Sequence, residues 1–331
     1  MISVALDAMG GDNAPDEMVQ GALKAAKTGE FKIALVGDSK RIDKLLQKEQ
    51  GNALPIEVVP SEGVILEGDS PIESLRSKPR ASISVCIGLL RHQKVDGVIT
   101  MGSTGGAMAA SVFQLGLMDG VERPAIGGEI IGFSPRTTLI DLGSNVDCRP
   151  IHLLNFAVMG SVFANARWAI DNPEVGILSI GAEEGKGNKL VKEAITKLEE
   201  STQINFIGNV EPNELLDTRA NVVVCDGFIG NVILKLTEGL GLAICKHIED
   251  HYKPLIEDRI LNQLKEDIFQ RTNVVETFGG GPILGVKGLV VVGHGNASAN
   301  AVAKAFETVK WMADSKYTDK LQLELTKVSN E

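Results

Sequence analysis

The chain has few aromatic side chains, 4% of its 331 residues, and only four cysteines. The scarcity of aromatics argues against a protein that stacks on unpaired nucleic-acid bases. A formal net charge of −10 argues against a broad surface for a phosphodiester backbone. Cys86, Cys148, Cys225 and Cys245 are scattered, with no CxxC pair. That is the pattern of reduced, mostly buried thiols and not of a disulfide framework. No apolar run is expected to approach the ~20 residues that span a bilayer. Met1 leads directly into a strand pattern without signal-peptide character, so a cytoplasmic protein is expected. No Pro/Ser-rich linker or low-complexity stretch divides the sequence, and a single α/β domain over residues 1–331 is expected.

What the chain does have is one pattern repeated many times: a short β-branched run, a glycine-bearing polar turn, then a helical pattern. Ser3 to Asp7 runs into Gly10-Gly11-Asp12-Asn13, with Pro15 opening a helix. Ile33 to Val36 precedes Gly37-Asp38-Ser39, and Val98 to Thr100 precedes Gly102-Ser103-Thr104-Gly105-Gly106. Leu139 to Asp141 precedes Gly143-Ser144-Asn145, and Val175 to Ile180 precedes Gly181 to Asn188. Val222 to Val224 precedes Asp226, Gly227, Gly230 and Asn231, and Leu289 to Val292 precedes Gly293-His294-Gly295-Asn296. Strands alternating with helices predict a doubly wound, three-layer, mostly parallel sheet. Ligands of such sheets bind beyond the carboxyl ends of the strands, where all these turns fall, so the turns are expected to serve one crevice. A helix N-terminus behind a glycine turn presents free N–H groups, usually to an anion.

Several tempting motifs fail on their physics. Gly293 to Ser298 imitates a dinucleotide fingerprint, but helix follows where a strand with a ribose-binding acid belongs. Gly181 to Lys186 is one residue short of a P-loop, and Asn188 stands where Ser or Thr would hold magnesium. His247 and His251 have zinc spacing on a helix, but Ile248 replaces the glutamate of a zincin, and a solvated face is expected. A nucleophilic Cys225 is disfavoured because Asp226 beside it raises the thiol pKa. No metal and no cofactor are expected.

Together the turns resemble one family. LDAMGGDNAP at 6–15, TLIDLGSNVDCRP at 138–150, EEGKGN at 183–188, CDGFIGNVILKLTEG at 225–239, GGGPILGVKG at 279–288 and the HG turn at 294–295 are similar to the motifs of bacterial phosphate acyltransferases, the PlsX family. The resemblance extends from about residue 1 to 312. It departs at MGSTGG, where Ser103 replaces an amide of the usual GNTGA, at HGNA, where Asn296 and Ala297 replace two small polar residues, and most between His251 and Asn273, where Glu257, Asp258, Glu266 and Asp267 interrupt an apolar stripe.

The resemblance implies a fold related to phosphotransacetylases and to isocitrate and isopropylmalate dehydrogenases, with a helical hairpin at about 235–275. It implies transfer of a fatty acyl group from acyl-acyl-carrier protein to inorganic phosphate, giving acyl phosphate that a glycerol-3-phosphate acyltransferase then consumes. It also implies a homodimer and peripheral contact with the inner face of the cytoplasmic membrane. Other readings are an acyl-coenzyme A enzyme of phosphotransacetylase type, a NAD-dependent decarboxylating dehydrogenase, and a membrane-tethered scaffold.

In that reaction the nucleophile is already charged, so the protein must offset repulsion, orient attack and stabilise an oxyanion. Lys186, between two glycines, suits phosphate or oxyanion charge. Asn231 at a helix start is a neutral donor for the oxyanion. Asp226 and Asp7 are candidates to orient Lys186 or accept a proton. His294 has the titration range of an acid for the leaving thiolate. Gly10, Gly11, Ser103, Thr104, Gly143, Asn145, Gly227 and Gly230 are the expected substrate-binding positions. Arg76, Lys78 and Arg80 form a candidate basic patch for an acidic carrier protein. Ile256, Ile260, Leu264 and Ile268 form an apolar stripe expected to meet a partner helix, a second subunit or lipid.

Overall fold

A computed structural model of the protein describes residues 1–49, 51–129, 132–134, 136–183 and 185–328. Among them the β-branched runs become strands that stop at their glycine turns: β1 (Ile2–Asp7), β2 (Phe31–Gly37), β3 (Ile56–Pro60), β4 (Gly97–Thr100), β5 (Ala125–Glu129), β6 (Thr138–Ile140), β7 (Glu174–Leu178), β8 (Asn205–Val210), β9 (Val222–Val224), β10 (Gly281–Leu284) and β11 (Leu289–Val292). The chain forms two units, one of Met1–Pro124 with Phe278–Thr326 and one built on Ala125–Thr277.

In the first unit the strand order is β3-β2-β1-β4-β11-β10, and β10 alone runs antiparallel to its neighbour β11. Register aligns Leu6 with Leu35 and Ile99, and Ile99 with Val291. All four side chains are buried in one cluster with Met18 and Ala22 of helix Asp16–Ala26 and Val302 and Phe306 of helix Ala299–Asp314. Phe31 meets Phe306 edge to face, centroids 5.4 Å apart. The alternate positions Ala5, Val98 and Val290 point the other way and are also fully buried. Helix Ser82–Arg91 packs against β1, β2 and β4 on that face, so strands covered on both sides read as continuous apolar runs.

In the second unit the order is β5-β6-β9-β7-β8, parallel except for β5 on β6. Leu139, Leu178, Val210, Leu215 and Val223 form one core cluster. Helix Pro150–Trp168 packs on β6, β7 and β9, and its Phe156, Ala157, Met159 and Phe163 are buried. Pro150 opens this helix, where its missing N–H costs nothing.

Two sequence expectations need correction. The charged stretch after residue 313 is ordered. It forms helix Tyr317–Val328, which buries Tyr317, Leu321 and Leu325 at four-residue spacing. The apolar content near the hairpin is also larger than uninterrupted runs suggest. Helix Gly227–Tyr252 is 26 residues long and, by length and composition alone, apolar enough to cross a membrane. Only 22% of its apolar stretch is buried. Lys235 and Glu238 break the run in sequence without breaking the helix. This helix packs on Asp258–Thr272, tied by Lys265 Nζ donating to Glu249 Oε2 at 2.5 Å. Ile256 lies before the second helix, Leu261 is buried, and Ile260 and Leu264 stay 43% and 45% exposed.

Candidate functional site

In the second unit β6, β9 and β7 are parallel neighbours, so the turns that follow them leave the same edge of the sheet. The turn after β6 is organised by Asp141, which is fully buried. Its Oδ1 accepts from the N–H groups of Gly143 (3.1 Å), Ser144 (3.1 Å) and Ile126 (3.2 Å). Its Oδ2 accepts from the Asn145 N–H at 2.7 Å and the Asn145 side-chain amide at 2.8 Å. Burial pushes this carboxyl up, and the donors around it, Ser144 and Asn145 foremost, hold it down.

The turn after β9 is pressed onto this cage. Gly227 donates its N–H to the Asn145 carbonyl at 2.7 Å. A Cβ on Gly227 would lie 2.8 Å from Asp141 Oδ2, and one on Gly230 would enter the Asp141 carbonyl oxygen, so both positions require glycine for close approach. Asp226 caps helix Gly227–Tyr252 by accepting from the Ile229 N–H at 2.9 Å. Asn231, one turn into the helix, faces Gly143, which holds φ +140°. The structure thus brings Gly143, Asn145, Asp226, Gly227, Gly230 and Asn231 together. Cys225 behind them is buried, and burial, then Asp141 and Asp226, push its thiol well up, which disqualifies it as a nucleophile.

Lys186 belongs to the turn after β7. It is exposed, has no ion-pair partner among the described residues, and makes no hydrogen bond to Asp226 or Asn231. Its turn is held from β8: Asn209 Nδ2 donates to the carbonyls of Gly181 (3.0 Å) and Glu183 (3.1 Å), and Glu211 Oε1 accepts from the Ala182 N–H at 3.1 Å. Asn188 caps the next helix through the Val191 N–H at 2.9 Å. Glu184 of this motif lies outside the described residues.

The first unit gathers the turns after β1, β4 and β11, again parallel neighbours. Asp7 is 2% exposed and accepts from Thr100 Oγ1 at 2.9 Å and from the Met9 N–H at 3.1 Å. Thr100 Oγ1 in turn accepts from the Gly102 N–H at 3.0 Å. Burial pushes the Asp7 carboxyl up, against the Ser82 and Thr100 hydroxyls and the Met9 and Gly10 N–H groups. Gly10 packs between Asp7 and Thr100, and Gly11 lies against the Gly295 carbonyl, to which Asp12 donates at 2.6 Å. Ser103 caps helix Thr104–Gln114 through Gly106 at 3.2 Å, with Thr104 as its first residue. His294 is half-buried in the third turn, its carbonyl accepting from Ala297 at 3.0 Å.

Sequence reasoning missed three organising residues. Asp141 was visible only as the end of a strand, Thr100 likewise, and Asn209 sits in a strand with no glycine turn to mark it. Among the described residues no group of His, Cys, Asp or Glu is placed to hold a metal. His247 and His251 are exposed and stack on each other, centroids 4.2 Å apart. The basic patch is partly spent internally: Lys78 pairs with Asp69 at 3.2 Å and Arg80 with Glu62 at 3.3 Å.

Phosphotransacetylases share this fold. The enzyme from Streptococcus pyogenes matches with a TM-score of 0.63 over 96% of this chain and 94% of its own, at 15% identity. A branched-chain phosphotransacylase from Enterococcus faecalis matches at 0.57, covering 95% and 99% at 14% identity. The model of the fatty acid synthesis protein family matches residues 2–320. Phosphate acyltransferases of Cyanothece sp. (38% identity, 96% of this chain and 94% of the relative), Desulforamulus reducens (41%, 94% and 93%) and Aquifex aeolicus (40%, 97% and 96%) are similar over nearly their whole length. The protein is therefore an acyltransferase on a mostly parallel α/β sheet. The chain belongs to the fatty acid synthesis protein family, that of the bacterial phosphate acyltransferases known as PlsX.

Proposed function

We propose that the chain transfers a fatty acyl group from acyl-acyl-carrier protein to inorganic phosphate, releasing the carrier thiol and an acyl phosphate for phospholipid synthesis. The observation that carries this reading is an uncommitted lysine after β7 and Asn231 after β9, at neighbouring parallel strand ends. Lys186 is exposed and unpaired among the described residues, while Asn231 is fixed against Gly143 by the Asp141 cage. A phosphate oxygen attacks the thioester carbonyl, the C–S bond breaks, and the thiolate leaves with a proton. Lys186 offsets the charge of the dianion, and Asn231 donates to the oxyanion. Asp226 keeps the helix start in place. The product would feed a glycerol-3-phosphate acyltransferase.

The test is phosphate-dependent release of carrier thiol from palmitoyl-acyl-carrier protein, run beside palmitoyl-coenzyme A. Lys186→Ala should lower turnover on the order of 10²-fold or more, as loss of one transition-state donor does. Its melting curve should be unchanged, because the side chain is exposed. A folded variant with wild-type turnover removes Lys186 from the mechanism. Faster turnover of the coenzyme A ester replaces the carrier reading.

The reading includes a homodimer in the cytoplasm with shallow contact at the membrane's inner face, both through the hairpin. Leu236, Leu240, Leu255, Ile260 and Leu264 are large apolar side chains left exposed there, and such a face requires a partner. Replacing Ile260 and Leu264 by Ser should weaken the dimer in sedimentation. An intact dimer that no longer floats with liposomes makes this face a lipid contact instead.

A further inference from the structure

Ser179 follows β7 directly, at the foot of the turn that carries Lys186. Its backbone is fixed, its N–H donating to the Val210 carbonyl of β8 at 2.9 Å. The residue is 5% exposed, and its hydroxyl has no hydrogen-bond partner among the described residues. A buried hydroxyl in that state costs stability, so its presence calls for a reason other than packing. The surroundings point to the turn above it. A Cβ on Gly187 would stand 3.2 Å from Ser179 Oγ, so the hydroxyl faces the glycine that follows Lys186. A Cβ on Gly181 would stand 3.0 Å from Lys186 Cγ, so the lysine stem lies across the turn two residues beyond Ser179. The Glu183 carboxylate rests on the same glycine, yet forms no ion pair with Lys186 among the described residues.

This turn is held at its ends and free in its middle. Asn209 and Glu211 hold residues 181–183, and Asn188 caps helix Lys189–Glu200. Between these holds, Gly185 and Gly187 keep φ of +82° and +104°. Nothing beyond its chain neighbours lies within 4 Å of a Cβ placed on Gly185. Glycine on either side of Lys186 lets the turn shift without a side-chain penalty. A ligand that meets a hydroxyl donor, an ammonium and a helix N-terminus together is a compact oxyanion with several charged oxygens. Phosphate has them on one small centre. A thioester carbonyl offers one weakly charged oxygen and cannot engage both side chains.

We propose that Ser179 is a phosphate-binding residue: the turn moves about Gly185 and Gly187, and the hydroxyl donates to one oxygen of the phosphate whose charge Lys186 offsets. This rests on the acyl-transfer reading above, but its test needs no acyl donor. Inorganic phosphate is titrated calorimetrically into the full-length wild type and into Ser179→Ala, with sodium chloride of equal ionic strength as the control. Saturable binding to the wild type is expected, and at least roughly tenfold weaker binding to the variant. In phosphate-free buffer Ser179→Ala should melt no lower than the wild type, because the hydroxyl it removes has no partner there. In turnover the KM for phosphate should rise by the same factor, with the KM for the acyl donor unchanged. Equal phosphate affinity in the two proteins overturns the proposal, as does a wild type that binds no phosphate. A lower melting temperature for phosphate-free Ser179→Ala makes the hydroxyl structural and also overturns it. A wild type that binds phosphate through Ser179 but releases no thiol from the thioester keeps this site and sinks the reaction above.

Discussion

The Asp7 turn and the Asp141 turn solve the same problem by different means. Each places a buried carboxylate where a strand ends, sets glycines against it, and keeps a buried cysteine nearby, Cys86 in one unit and Cys225 in the other. Asp141 is held mostly by the residues that follow it, Gly143, Ser144 and Asn145, with one further N–H from Ile126 of β5. Asp7 depends on a side chain from a different strand, the Thr100 hydroxyl, and that hydroxyl also holds the Gly102 N–H. The first arrangement is mostly local, with a single tie to β5. The second ties two turns into one unit, so that a single hydroxyl serves both.

This difference is open to attack from either side. The largest effect should come from Asp141→Ala, which strands the N–H groups of Gly143, Ser144 and Asn145 together with the Asn145 amide. Each lost charge-assisted bond is worth about 1.5–3 kcal/mol, partly offset by relief of the buried charge, so a net loss of about 3 kcal/mol is expected from urea unfolding. Turnover should fall with it, because Asn231 loses its platform. Thr100→Val keeps the shape and removes the shared hydroxyl, and should cost about 1–3 kcal/mol by leaving the Gly102 N–H without its acceptor and Asp7 without the Thr100 donor. If Thr100→Val proves as damaging as Asp141→Ala, the two turns are equally self-contained and the contrast is lost.

The smallest effect is on pH dependence. Burial raises both carboxyls above the ordinary value of 3.8, so the folded state holds these protons more tightly than the unfolded chain. Their contribution to stability is therefore greatest below that value and declines as pH rises through the raised folded range. Asp7→Asn should flatten the fall in urea midpoint as pH rises above about 4. A slope identical to wild type would mean that Asp7 titrates normally in the folded protein.

Much of this was legible in the sequence, and the reasons are physical. β1, β2, β4, β6, β7, β9 and β11 all announce themselves as β-branched runs stopped by glycine. β5 and β10 were hidden because AIGGE holds two adjacent glycines and GPIL is four residues opening on Gly-Pro. These are the strands that pair antiparallel, β5 with β6 and β10 with β11. The glycines of the candidate site were readable because close approach leaves no alternative residue. Asp141 was not, because a buried carboxylate caged by N–H groups looks in sequence like any polar residue entering a turn. Asn209 lies in a strand whose outward function depends on β7 beside it, a neighbour that only the sheet order reveals. The charged C-terminal stretch hid a helix because its Tyr317, Leu321 and Leu325 are diluted by surrounding polar residues.

Helix Gly227–Tyr252 starts at the Asp226 cap, carries Asn231 in its first turns, and ends in the exposed hairpin. In mechanical terms it is a lever about 39 Å long, at ~1.5 Å per residue, whose fulcrum is the glycine contact with Asp141. A tilt of about 5° about that fulcrum carries the far tip through roughly 3 Å and Asn231 through well under 1 Å. For a rigid helix the geometry therefore scales down motion at the hairpin before it reaches the turn.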